Sequence, residues 1–172
     1  SFPTDAYVSC VAVDPTDAHN AIVVFSNYNV PSLFSTSNGG TSWTAISGNL
    51  EQNPDGSGNG PSSRWASIVP AGTSKLYLVG TSTGLYSTNT LDGLSTAWAL
   101  EGASTVGNVV VTMIDNRLSD GLLAIGTHAN GVYTATVAAV PAAPALLSPA
   151  DGATGVATNP ILSWNAAAGA TS

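Results

Sequence analysis

Three segments of the chain repeat the same order of short apolar strands and polar turns, and this repeat constrains the fold more than any other feature. Each repeat opens with a strand rich in β-branched residues, at residues 7–13, 64–70 and 108–114. A second apolar strand follows, and then a third strand that carries Phe34 in the first repeat and Tyr86 in the second. Because Gly, Asn, Asp and Pro separate these apolar runs, the pattern predicts an all-β chain.

The repeat length is about 45 to 55 residues, which is typical of a four-stranded β-propeller blade. The second strands, at residues 21–25, 75–81 and 121–127, are almost continuously apolar. Such runs indicate burial on both faces between neighbouring blades. The sequence therefore predicts a partial or open propeller of three four-stranded blades. We place these blades at residues 1–50, 51–103 and 104–140.

The third repeat is less complete than the other two. It keeps a third strand at residues 131–136 but contains no tryptophan after it, whereas Trp43 and Trp98 follow the third strands of the first two repeats. Its fourth strand has to come from residues 137–140 or from elsewhere. An incomplete blade leaves an unpaired strand edge, which is a template for the addition of another chain.

The turn after the third strand of the first repeat is the most specific motif. Asn and Gly tolerate the φ > 0 positions that tight hairpin turns require. The turn resembles the Asp-box of sialidase-like, sortilin-like and xyloglucanase-like propellers, whose usual form is Ser/Thr-x-Asp-x-Gly-x-Thr-Trp. Five residues match this form, with Asn in place of Asp: Thr36, Asn38, Gly40, Ser42 and Trp43. The resemblance implies a structural turn without chemistry of its own.

The end of the chain has a different character. A Pro/Ala linker at residues 141–145 leads into residues 146–172, which resemble the opening strand pair of an Ig- or fibronectin type III-like module. Trp164 matches the buried tryptophan of that family's second strand. Because two strands cannot bury such a residue alone, we expect the segment to dock on another surface. The apolar residues of this candidate assembly tail are Leu146, Leu147, Ile161, Leu162 and Trp164.

These features predict a structural or interaction protein. We expect each subunit to donate its tail to a neighbour, which gives a homo-oligomer or polymer such as an extracellular fibre or surface layer. A first alternative is a non-catalytic fragment of a secreted glycan-active or glycan-binding propeller, with a glycan as ligand. A fragment also accounts for a chain that begins at Ser1 without a methionine. A second alternative is a cell-surface adhesin for another protein.

Composition narrows the location and the partners. The chain has 3 basic and 10 acidic residues, so it lacks the basic cluster that nucleic acid binding requires. No apolar run is long enough for a transmembrane helix, and we expect no membrane insertion. The scarcity of Lys and Arg, with abundant Ser, Thr and Gly, favours a secreted bacterial protein at the cell surface or outside the cell.

The sequence offers no constellation of catalytic residues. Glycosidases need two carboxylates that face one cleft, and Asp14 and Asp115 each follow a first strand, where an Asx turn is the more natural interpretation. A sialidase-type site requires a cluster of arginines, whereas this chain has only Arg64 and Arg117. We therefore expect a protein that is not an enzyme.

We also expect no cofactor and no metal ion. Cys10 lies in a strand and is interpreted as a small buried residue. His19 and His128 lack ligand spacing to a second His, Cys or carboxylate. The Gly-rich loop at residues 55–60 lacks the acidic closing ligand of a calcium site.

Overall fold

The computed structural model describes residues 1–137 and 144–165. Residues 1–137 belong to one compact unit and residues 144–165 to a second. Three parts of the predicted organisation lie outside the described residues: positions 138–140 of the fourth strand of the third repeat, positions 141–143 of the linker, and positions 166–172 of the tail.

The first unit consists of three antiparallel sheets, one for each sequence repeat. In sheet 1 and sheet 2 the four strands pair in chain order, and in sheet 3 three strands do so. The strands of sheet 1 are β1 Val8–Val13, β2 Ala21–Phe25, β3 Leu33–Thr36 and β4 Thr44–Ala45. Those of sheet 2 are β5 Ser63–Ala71, β6 Ser74–Thr81, β7 Gly84–Thr88 and β8 Ala99–Glu101. Those of sheet 3 are β9 Val111–Arg117, β10 Leu122–Thr127 and β11 Val132–Thr136.

The sheets pack face to face through their first and second strands. β5 of sheet 2 packs against β1 and β2, and β9 of sheet 3 packs against β5 and β6. Alternation along a strand sends successive side chains to opposite faces. In β1, Cys10 and Ala12 are buried, whereas Val11 and Val13 are exposed on the opposite face. The all-β, open-propeller prediction is therefore confirmed for this unit.

Two apolar cores separate the three sheets. The core between sheets 1 and 2 includes Ile22, Leu33, Ile68, Val79 and Trp98. The core between sheets 2 and 3 includes Leu78, Leu85, Val111, Leu123 and Ile125. β6 is apolar at successive positions because sheet 2 is covered on both faces, as the sequence predicts. In β10, by contrast, only Leu123 and Ile125 belong to the buried core, because no described sheet covers the outer face of sheet 3.

The first strand of sheet 3 differs from the sequence interpretation at both of its ends. β9 begins at Val111 and continues to Arg117, so Asp115 lies inside the strand and pairs with Ala124. Asp115 Oδ1 accepts a hydrogen bond from the neighbouring Asn116 N–H at 2.8 Å. The Asx turn expected at this aspartate is therefore replaced by a continuing strand.

The second unit contains a two-stranded antiparallel sheet. β12 Leu146–Ser148 pairs with β13 Ser163–Trp164, and Leu146 lies opposite Trp164. Both leucines of β12 are exposed, and so is Trp164.

Candidate functional site

The turn that resembles an Asp-box is held together by its own side chains. Thr36 Oγ1 accepts hydrogen bonds from the backbone N–H groups of Asn38 at 3.3 Å and Gly40 at 3.0 Å. Asn38 Oδ1 accepts from the Ser42 N–H at 3.0 Å, and Asn38 Nδ2 donates to Ser42 Oγ at 2.8 Å. Gly39 has φ 67° and Gly40 has φ 86°, so the turn uses the left-handed conformation that glycine adopts without strain.

Trp43 closes this turn and packs on the outer face of sheet 1. Its Nε1–H donates to the Gly40 carbonyl oxygen at 3.1 Å. Its ring lies 5.2 Å from the ring of Phe2, which also contacts Phe25 and Phe34. An N-terminal residue thus covers part of the sheet face that points away from sheet 2.

Trp98 lies in sheet 2 at the position of Trp43 in sheet 1, directly before the fourth strand. Its surroundings are different, because its side chain is inserted between two sheets and is only 3% exposed. Its Nε1–H donates to the Ile46 carbonyl oxygen at 2.9 Å. The Asn49 side chain accepts from the Trp98 N–H at 2.6 Å and donates to the Trp98 carbonyl at 2.9 Å. Trp98 therefore joins sheet 2 to sheet 1.

The described strands of sheet 3 contain no tryptophan, so the space between sheets 2 and 3 has no counterpart of Trp98. An open groove of about 450 Å³ lies there instead. Its apolar lining includes Leu78, Leu85, Val106, Leu123, Ile125 and Tyr133. Glu101 and Thr105 add polar atoms, and Glu101 Oε1 accepts a hydrogen bond from Ser87 Oγ at 2.6 Å. This groove, hereafter the sheet 2–3 groove, is large enough for an aromatic side chain.

The groove lies beside a strand edge. β11 is the outermost strand of sheet 3, and among the described residues it pairs only with β10. Val137 continues this pairing, because its N–H donates to the Gly121 carbonyl oxygen at 2.9 Å. The free side of β11 therefore presents the hydrogen-bonding groups that a further strand would use.

Both end sheets of the first unit expose apolar side chains on their outer faces. Val11 and Val13 are exposed on sheet 1, and Met113 and Val132 are exposed on sheet 3. Met113 and Val132 both pair with Gly126 of β10, so they lie on the same face of sheet 3, on either side of that glycine. In a closed propeller each of these faces would be covered by a neighbouring blade.

Asp14 has a structural role in the junction between sheets 1 and 2. Its Oδ1 accepts hydrogen bonds from the Thr16 N–H at 2.8 Å and the Thr16 hydroxyl at 2.7 Å, which forms an Asx turn. Its Oδ2 is paired with the Lys75 ammonium group of sheet 2. Burial would raise the pKa of Asp14, but the bonds from Lys75 and Thr16 outweigh it and lower the pKa below its ordinary value.

In the described chain, the Cys10 thiol forms no hydrogen bond to a histidine that could activate it as a nucleophile. The Cys10 thiol is buried and contacts the Ala66 carbonyl oxygen at 3.7 Å, and burial raises its pKa. His19 instead contacts Asp17, with Nδ1 and Oδ1 3.1 Å apart. In residues 1–137 and 144–165, no three His, Cys, Asp or Glu side chains are grouped as a metal site requires.

A smaller cleft, of about 250 Å³, lies between sheets 1 and 2. Tyr77 and Leu91 contribute its aromatic and apolar surfaces. The polar side chains around it are Asn20, Ser35, Thr36, Ser37, Ser42 and Thr44. An aromatic ring surrounded by hydroxyl and amide groups is chemically suited to bind a sugar. No local sequence pattern indicates this cleft, because its walls come from two different sheets.

The apolar residues of the candidate assembly tail are all exposed in the second unit. Ile161 is 88% exposed and Trp164 is 53% exposed. The exposed fractions of Leu146, Leu147 and Leu162 lie between 42% and 55%. No helix in the described parts of the chain has the length and hydrophobicity needed to cross a membrane.

Comparison with known proteins yields a similarity of fold. No protein family matches the chain, and no curated protein matches it either. Among solved structures, the crystal structure of the GH74 enzyme of Niastella koreensis (NkGH74) is similar, with a TM-score of 0.52 and 17% sequence identity. The match covers 77% of this chain and 21% of that chain. The chain thus shares an all-β, propeller-like fold with about a fifth of that enzyme.

Proposed function

We propose that this chain is a secreted structural protein that assembles with copies of itself into a fibre or surface layer. Each copy donates its tail, residues 146–172, to the next copy. The observation that carries the proposal is that sheet 3 has three strands in the described chain, whereas sheets 1 and 2 each have four. A strand supplied by another copy would complete sheet 3 and cover its free edge.

The exposed apolar surfaces support the same proposal. Val11 and Val13 lie on one end of the stack of sheets, and Met113 and Val132 lie on the other. These two surfaces differ, so contact between them is heterologous, and heterologous contacts form rings or open filaments. The tail also exposes its largest apolar side chain, Trp164, which a two-stranded sheet cannot bury alone.

We further propose that the protein is not an enzyme, that the turn at residues 36–43 is an Asp-box, and that the tail is a partial fibronectin type III-like module. The turn's polar side chains bond to one another and to its backbone, which is a structural use of the motif. Asp14 is paired with Lys75 rather than presented to a cleft.

Particle size tests the assembly proposal. We expect the intact chain to form long polymers in electron micrographs, and Trp164→Ala or removal of residues 145–172 to leave small particles. The circular dichroism of both variants should retain the β-sheet spectrum, because the first unit has its own core. Tyr28→Ala, which removes an exposed aromatic residue far from the tail in sequence, serves as the control. Polymers of unchanged length in both tail variants would contradict the proposal.

The cleft beside Tyr77 supports a second candidate function, the binding of a glycan. Its ring and the surrounding hydroxyl groups can stack on and hydrogen-bond to a sugar. Calorimetric titration with β-glucan oligosaccharides tests this function. Binding that is lost in Tyr77→Ala and kept in Tyr28→Ala would support it, and absence of binding to the intact chain would exclude β-glucan as the ligand.

A further inference from the structure

The repeat places a tryptophan at the same position in sheets 1 and 2, and it thereby indicates where a tryptophan would lie in sheet 3. β3 has the sequence Leu-Phe-Ser-Thr and β7 contains Leu-Tyr-Ser-Thr, so Leu33 corresponds to Leu85. A tryptophan follows each of these strands and directly precedes the fourth strand of the same sheet. Trp43 packs on the outer face of sheet 1, and Trp98 packs on the equivalent face of sheet 2, which is covered by sheet 1.

The same face of sheet 3 is the wall of the sheet 2–3 groove. Tyr133 corresponds to Tyr86, because each is the aromatic residue of a third strand that begins after a glycine. Tyr133 pairs with Ile125, and both line the groove. A fourth strand beside β11 would therefore direct its tryptophan into the groove, as β8 directs Trp98 towards sheet 1.

The tail contains the matching donor sequence. Ser163-Trp164 corresponds to Ser42-Trp43 of the first repeat and to Ala97-Trp98 of the second. Residues 163 and 164 already have β-strand conformation in β13. By contrast, residues 137–143, which follow β11 in the sequence, include no aromatic residue.

We infer that the sheet 2–3 groove is the acceptor site for Trp164 of a second copy, whose chain from Trp164 onward adds to β11 as the fourth strand of sheet 3. This inference rests on the proposed function and assigns the site at which the donated tail binds. The indole would occupy the place that Trp98 occupies between sheets 1 and 2. A cavity of roughly 150 Å³ holds benzene, so a groove of about 450 Å³ accommodates an indole and an adjacent side chain such as Leu162.

The groove also offers an acceptor for the indole N–H, which needs a hydrogen-bond partner when buried. Trp98 donates to the Ile46 carbonyl oxygen. The Ile46 N–H bonds to the Leu33 carbonyl, and Glu101 pairs with Leu85, so Glu101 occupies the position of Ile46 in sheet 2. Glu101 lines the groove, so by this correspondence its backbone carbonyl is the expected acceptor of the Trp164 N–H.

A peptide-binding experiment separates the groove from assembly as a whole. The receptor is the full-length Trp164→Ala variant, and the probe is a fluorescein-labelled peptide of residues 158–168. We expect a rise in fluorescence anisotropy with the native peptide and none with a peptide that carries the Trp164→Ala change. In the receptor, Ala135→Trp fills the groove, and Thr136→Trp adds the same ring one residue later, on the opposite face of β11.

The two receptor variants form the matched pair. Ala135→Trp should weaken peptide binding by more than about tenfold, whereas Thr136→Trp should change it by less than about twofold. Circular dichroism verifies that both receptors are folded. If the two variants bind the peptide equally, or if the Trp164→Ala receptor binds no peptide, the groove assignment is overturned.

Electron microscopy of the intact chain gives the independent readout. If the intact chain polymerises while the peptide test fails, self-assembly stands and the groove assignment is wrong. If the intact chain stays monomeric while the peptide binds and Ala135→Trp abolishes binding, the groove assignment is supported and the assembly proposal is wrong.

Discussion

Replacement of Trp98 by alanine tests whether this residue joins the first two sheets. The side chain is 3% exposed and its Nε1–H donates to the Ile46 carbonyl oxygen at 2.9 Å. Truncation of a buried tryptophan costs about 3–5 kcal/mol, and the carbonyl left without its donor adds to the loss. We therefore expect Trp98→Ala to lower the free energy of unfolding by about 4 kcal/mol, a large share of the stability of a typical domain.

Trp43→Ala is the matched comparison, because Trp43 has the same position in its repeat but a different environment. Its ring is only partly buried and its N–H donates to its own turn, at Gly40. We expect its removal to cost about 2 kcal/mol, since less apolar surface is lost from the core. Trp98→Phe keeps an aromatic ring at this position and removes the donor to Ile46, so it should fall between wild type and Trp98→Ala.

Urea unfolding followed by far-ultraviolet circular dichroism measures these differences. With an m-value of about 2 kcal/mol/M, the midpoint should fall by about 2 M for Trp98→Ala and about 1 M for Trp43→Ala. All variants are compared at one protein concentration, because self-assembly would make apparent stability depend on concentration. Equal losses in the two alanine variants would refute the assignment of Trp98 as the residue that joins the sheets.

Two further predictions concern the Asp14–Lys75 pair and the turn at residues 36–43. Because bonding lowers the pKa of Asp14 in the folded state, its contribution to stability is present at neutral pH and is lost as pH falls through that lowered pKa. Lys75→Met leaves a buried carboxylate unpaired and should lower the free energy of unfolding by about 3 kcal/mol at pH 7. This loss relative to wild type should shrink in unfolding curves measured at successively lower pH. A loss that does not depend on pH would contradict the prediction. In the turn, Asn38→Ala removes the acceptor of the Ser42 N–H and should cost about 1–2 kcal/mol, whereas Asn38→Asp keeps that acceptor and should lie within about 0.5 kcal/mol of wild type. Thermal unfolding distinguishes these two variants, and equal losses would show that the side-chain oxygen does not hold the turn.

The sequence alone predicts the strands and their grouping with few errors. Short apolar runs between Gly, Asn and Pro turns favour strands whatever the rest of the chain does, since turn residues and side-chain alternation act over a few residues. β2 and β7 lie where the repeat places them. The hydrogen bonds of the turn at residues 36–43 are likewise local, because Asn38 and Ser42 are separated by only four positions.

Tertiary structure decided the features that depend on which surfaces meet. Trp43 and Trp98 are equivalent in the repeat, but only Trp98 has another sheet against it, and its partner Ile46 is 52 residues away in the sequence. Lys75 meets Asp14 because β5 packs against β1 and β2, and β6, which carries Lys75, pairs with β5. The groove beside β11 is defined by the space between two sheets, which no local pattern encodes. Local propensities thus determine the strands of this protein, whereas the stacking of its sheets determines which side chains are core, which are paired and which surface is left open.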